Sequence, residues 1–87
     1  MNTGKEASKP YGTVLIKAKE ILDFLLAAND PPTLSDISRG LHSPKPTTLK
    51  ILSTLETLGF VWRDTDSKRY FLGNTLYTLR AESSSNF

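Results

Sequence analysis

A mainly α fold with one small β-hairpin is what this 87-residue sequence predicts. Three observations predict it. Apolar residues recur at three- and four-residue steps over 13–28 and again over 43–59, the period of amphipathic helices. A short glycine-containing turn, Gly40-Leu41-His42-Ser43, joins a brief helical segment to the second of these stretches. Two β-favouring runs, 60–63 and 69–73, flank the polar stretch Asp64-Thr65-Asp66-Ser67-Lys68 and read as a hairpin.

The length suits a single domain with one modest core, and 38% hydrophobic residues are ordinary for a globular chain. With no cysteine, neither a disulfide nor a thiolate metal site is available. No apolar run approaches the roughly twenty residues of a membrane span, and residues 1–10 lack the apolar middle of a signal peptide. The expectation is a cytoplasmic protein with no cofactor, no bound metal and no membrane partner. A net charge of +2 and a pI of about 9.0 permit a nucleic-acid partner without requiring one.

Residues 1–12 hold two glycines, Pro10 and scattered charges without periodicity, and read as a mobile arm. Lys5 and Lys9 would let it follow a nucleic-acid groove, although an inert tail is the plainer reading. The first helix spans 13–28, with Val14, Ala18, Ile21, Leu22, Leu25 and Ala28 on one stripe. Leu15, Phe24 and Leu26 widen that stripe, which a core wrapping the helix would explain more simply than a second partner surface. Asn29-Asp30-Pro31-Pro32 ends it, because a proline disfavours helical geometry in the residue before it.

Thr33 then caps a short helix over 34–39, and Asp36 three residues on completes a capping box. Leu34, Ile37 and Leu41 supply its buried side, and Gly40 stands where a C-terminal cap takes positive φ. The third helix has two candidate starts: Ser43 as N-cap followed by Pro44, or a start at Pro46, which disfavours helix at Lys45. Either start leaves both prolines where a helix has orphan N–H groups anyway. Thr48, Ile51, Leu52, Leu55 and Leu58 form its inner stripe, and Gly59 ends it. Its outer side is small, polar and positive: Lys45, Pro46, Thr47, Leu49, Lys50, Ser53 and Thr57, with no carboxylate before Glu56.

Alternation does not decide which of Trp62 and Phe71 faces inward. Asn74 offers a cap for a last helix with Leu76, Tyr77 and Leu79 apolar, and 81–87 read as a disordered tail or the start of a linker. The domain proper is therefore 13–80. Two helices joined by a tight turn and followed by a hairpin make a winged helix-turn-helix, whose second helix can enter the major groove of duplex DNA.

Two other classes of function compete with DNA binding. Catalysis wants convergent titratable groups. Here the lone His42 lies in a turn, and Asp64 and Asp66 lack the remaining ligands of a calcium loop, so no enzyme is expected. The alternative is a winged helix that binds only protein, without DNA. Such a module would keep the inner stripe but has no need of Lys45, Lys50 and the cations of the wing.

Four stretches carry a resemblance to a known family: KAKEILDFL, PPTLSDISRGL, PKPTTLKILSTLETLGFV and RYFLGNTLYTL. In their order and spacing, over about residues 13–80, the chain resembles the N-terminal DNA-binding domain of IclR-type (isocitrate lyase regulator) bacterial transcription factors. The family usually shows a Ser-Thr pair and then an Arg on its recognition helix, where this sequence has Pro46, Thr47 and Lys50. Lysine keeps the charge but loses the bidentate fork that suits guanine. The resemblance implies a larger C-terminal domain that binds a small organic effector and assembles subunits, so these 87 residues would be an excised domain or a shortened relative with no effector pocket. A weak homodimer through helix 14–28 and residues 74–80 is the expected self-association.

The site expected on this reading is a DNA interface. Thr33, Ser35, Ser43 and Lys45 anchor to phosphate; Thr47, Leu49, Lys50 and Ser53 face bases; Arg63, Lys68 and Arg69 hold the flanking backbone.

Overall fold

The computed structural model describes residues 10–75; the expectations for residues 1–9 and 76–87, including the last helix, fall outside them. Three helices precede one hairpin: α1 (Pro10–Ala27), α2 (Leu34–Gly40), α3 (Lys45–Thr57), β1 (Val61–Arg63) and β2 (Tyr70–Leu72). The strands pair antiparallel in the register Val61↔Leu72, Trp62↔Phe71 and Arg63↔Tyr70. This is the mainly α winged helix-turn-helix expected from the pattern.

α1 begins three residues before the expected 13, inside the stretch read as an arm. Proline's fixed φ suits a first helical turn, where its missing N–H costs no hydrogen bond. The helix stops at Ala27, four residues ahead of Pro31. Ile21 and Leu25 of the expected stripe are buried, and Ala18 and Leu22 pack partly against the core. Val14, at the open N-terminal end, is exposed, and so are Leu15 and Leu26. Of the three residues that widen the apolar arc, the core therefore takes in Phe24 but leaves Leu15 and Leu26 outside.

α2 opens with the predicted capping box. The Thr33 hydroxyl accepts from the Asp36 amide at 3.2 Å, and the Asp36 carboxylate accepts from the Thr33 amide at 3.0 Å. Gly40 is the last helical residue rather than a positive-φ cap. Its need is space: a Cβ there would come within 2.8 Å of Phe24 Cζ and closer still to Cε1. The left-handed position belongs instead to His42, with φ of 53°.

α3 starts between the two anticipated points. Pro44 is its N-cap, without a side-chain cap bond, and Pro46 falls in its first turn. The Thr48 hydroxyl, fully buried, donates to the Pro44 carbonyl at 2.9 Å. Thr48, Ile51, Leu52 and Leu55 face the core as predicted, joined by Ile37, Val61 and Tyr70. Leu58, placed on that stripe from the sequence, is the C-cap and stays exposed, because the helix unwinds there into Gly59 at φ of 84°.

The wing is sewn to the loop before α2. The Tyr70 amide donates to the Pro32 carbonyl at 2.8 Å, Thr33 bridges Arg69 as a short strand addition, and the Arg69 guanidinium donates to the Pro31 carbonyl. Val61 and Tyr70 point inward, which puts Trp62 and Phe71 on the outer face.

Candidate nucleic-acid interface

At about 100° per residue, Pro46, Ser53 and Thr57 run along the outermost line of α3, with Leu49 and Lys50 to either side. Leu49 and Ser53 open on a groove of about 660 Å³ between the start of α2, α3 and the wing. Its walls bring together six of the expected contacts: Thr33, Ser35, Leu49, Ser53, Arg63 and Lys68. Lys50 lies on the other flank, beside an apolar groove formed with Val14, Leu15, Leu58 and Phe60. Lys45 and Thr47 are exposed in the first turn of α3.

Lys19 and Arg39 are paired with Asp23 and Asp36, at 2.7 and 2.9 Å. Lys45, Lys50, Arg63 and Lys68 have no carboxylate partner among the described residues. Their charge is therefore available to an external anion. The hydroxyls of Thr54 and Thr57 turn back on the carbonyls of Lys50 and Ser53, whereas those of Thr47 and Ser53 have no internal partner. Arg69 is exposed but spends part of its guanidinium on Pro31, so it braces the wing as well as presenting charge.

Ser43 is corrected by the structure. Its side chain is buried, and its hydroxyl finds no hydrogen-bond partner. It lies behind the first turn of α3 instead of on the outer face, because the helix begins after it and the turn folds it under Ser38. A buried hydroxyl cannot serve as a phosphate anchor.

Glu56 and Tyr70 line the α2–wing groove without having been singled out from the sequence. Helical arithmetic could have found Glu56, which stands seven residues after Leu49 and three after Ser53 on one stripe. Burial pushes the Tyr70 phenol above its usual range, with Arg63 opposing and Glu56 reinforcing the shift, so it stays neutral at physiological pH. At the groove's edge the Asp64 carboxylate, held low by the Ser67 amide at 2.7 Å, shapes the wing turn. Lys68 occupies the left-handed position of that turn, φ 62°, and lines the groove opposite α3. Among the described residues no cluster of histidine and acidic side chains could hold a metal ion, and no helix is long and apolar enough to cross a membrane.

A family model for the IclR helix-turn-helix domain matches residues 14–65. The chain belongs to the IclR helix-turn-helix family. Among solved structures, it is similar to an IclR transcriptional regulator of Alicyclobacillus acidocaldarius, at 36% identity and a TM-score of 0.74. That match covers 82% of this chain and 29% of the other. The IclR of Thermotoga maritima is similar at 32% identity and a TM-score of 0.79, over 86% of this chain and 30% of that one. The repressor BlcR of Agobacterium tumefaciens shares the fold at 19% identity and a TM-score of 0.69, over 95% and 30% of the two chains. The 87 residues thus span under a third of the length of these regulators. A comparison with curated protein sequences returns no significant match. IclR helix-turn-helix domains are components of transcriptional regulators rather than an enzyme class.

Proposed function

We propose that this IclR-family domain binds duplex DNA sequence-specifically, with α3 in the major groove and the wing on the flanking backbone. The observation that carries the reading is the set of four unpaired cations, Lys45, Lys50, Arg63 and Lys68, on or beside the solvent face of a helix whose other face is core. Phosphate neutralisation by such cations supplies affinity, and side chains at base edges supply sequence choice. In this arrangement Thr47, Leu49, Lys50 and Ser53 face bases. Thr33, Ser35 and Lys45 meet phosphates on one side, and Arg63, Lys68 and the free part of Arg69 do so on the other. Glu56, a carboxylate beside these cations, disfavours close approach of backbone phosphate at the rear of the groove.

The exposed Val14, Leu15, Ile16 and Leu26 support weak pairing of two copies through α1. One module of this kind covers about 600–1,000 Å² and reads one half-site, so binding in the micromolar range at physiological salt is expected. With about three to five phosphates neutralised, log K falls with log salt at a slope of roughly −3 to −4.5. Selection of bound duplexes from a random-sequence pool tests the reading. A recurrent sequence supports it, and retention of no duplex above background overturns it in favour of protein recognition. Sedimentation with duplexes of one and two half-sites measures the pairing; nanomolar, strongly cooperative binding would contradict the weak dimer.

A further inference from the structure

Ser38, on α2, holds both backbone polar groups of Ser43. Its hydroxyl donates to the Ser43 carbonyl, and its own carbonyl accepts from the Ser43 amide at 3.0 Å. Both residues are buried, with 8% of their surface exposed. The bonds close a turn that contains a non-glycine residue at positive φ, His42, a conformation disfavoured for an L-residue. The clamp ends one residue before Pro44, the N-cap of α3. The turn thus sits between Thr33 and Ser35, at the start of α2, and Thr47 and Lys50, in the first turns of α3.

We infer that Ser38 is a positioning residue for sequence reading: it fixes the angle at which α3 leaves α2, and so the register between phosphate contacts and base contacts. The inference rests on the DNA-reading proposal above. A buried carbonyl that loses its donor is expensive to leave unpaired. Without the Ser38 hydroxyl the Ser43 carbonyl turns to find another partner, and the first turn of α3 moves with it. Phosphate binding tolerates such movement, since it depends on charge rather than on a fixed angle. Base readout does not, because each hydrogen bond needs its donor within a few tenths of an ångström.

The test uses Ser38→Ala and the nearly isosteric Ser38→Cys, a poor donor, in the 87-residue chain. Affinities are measured for the duplex selected from the random pool and for a scrambled duplex, together with amide hydrogen exchange. Both variants are expected to lose about 5- to 20-fold of the preference for the selected duplex while scrambled-duplex affinity stays within about twofold. Exchange at the Ser43 and Thr48 amides is expected to quicken, while that of Leu52 in the core is unchanged. Equal weakening on both duplexes, or unchanged exchange at Ser43 and Thr48, overturns the inference. Wild-type behaviour of Ser38→Cys beside a defective Ser38→Ala also overturns it, since volume rather than the hydrogen bond would then matter. A wild-type chain that does not distinguish the two duplexes overturns the DNA-reading proposal, and this inference with it.

Discussion

Trp62 lies flat against Phe71 across the wing, ring centroids 4.4 Å apart and planes within 13°. The two rings form a directly opposed pair on the outer face of a two-stranded sheet, where each strand has only three residues. Stacked aromatic pairs contribute about 0.5–1.5 kcal/mol beyond their buried area. Trp62→Ala is therefore expected to cost about 1–2 kcal/mol of stability. Urea unfolding followed by circular dichroism measures it, and an unchanged midpoint would show that the stack holds nothing.

Lys68 gives a variant in which stability and binding part company. At φ of 62°, glycine is unstrained and lysine is not. Lys68→Gly should leave stability unchanged or raise it by up to about 1 kcal/mol. The same change should weaken selected and random duplexes alike and flatten the salt slope by roughly 0.9. Improved stability with unaltered DNA binding would remove Lys68 from the interface.

Ser43→Ala should be harmless to DNA binding and neutral or stabilising in the fold, by up to about 1 kcal/mol. The alanine removes a buried hydroxyl that has no partner. A substantial loss of affinity on this change would restore the phosphate role that its burial argues against.

Leu49 and Lys50 flank the outer line of α3 and should fail in different ways. Lys50→Ala should cost about 1–3 kcal/mol on the selected duplex and less on random DNA. Leu49 is only half exposed, beside Leu34 in the α2–wing groove, and its reach to a base is a methyl contact. Replacing thymine by uracil, one base pair at a time, should weaken the wild type at one position and leave Leu49→Ala indifferent there. If no position responds, Leu49 serves packing alone.

The cap of α2 makes stability depend on acid. The Asp36 carboxyl is held below its ordinary range, first by the Thr33 amide, with Arg39 and Arg69 adding smaller pulls. A carboxylate favoured by the folded state stabilises above its unfolded pKa of about 4 and stops doing so as pH falls through the lower folded value. Asp36→Asn should therefore flatten the loss of stability below about pH 4 and lower the plateau at neutral pH. Chemical unfolding at a series of pH values shows it, and parallel curves for variant and wild type would refute it.

What the sequence revealed and what it concealed divide by range. The Thr33–Asp36 box, the stop at Gly59 and the inner face of α3 are set by residues within a few positions of each other, and periodicity exposes them. From its neighbours Gly40 reads as a backbone need, whereas the constraint comes from Phe24, sixteen residues earlier. Ser43 carries the residue type of an N-cap or phosphate anchor, and only the folded turn shows it buried. The tie of Arg69 to Pro31 had no local signal at all. On the wing, alternation marked two faces of each strand but not which one met the core. That choice was made by packing, with Val61 and Tyr70 closing on Ile37 and Leu52.

The stitching of the wing to Pro31 and Pro32 also dictates an order of assembly. The Ser38 clamp closes a segment of five residues; the Arg69 tie closes one of thirty-eight. On a logarithmic scaling of chain entropy, the longer closure costs about 1.8 kcal/mol more. The helix pair can therefore settle early in folding, and the hairpin docks onto a loop already fixed by the capped start of α2. Loop-closure entropy alone then predicts that the wing opens before α2 and α3 part, an order that amide hydrogen exchange of the Tyr70 and Leu52 amides would show. If the domain binds DNA as proposed, such opening would loosen the wing's hold on flanking phosphates before it disturbed the helix at the bases, and a bound domain would begin to leave DNA from its wing.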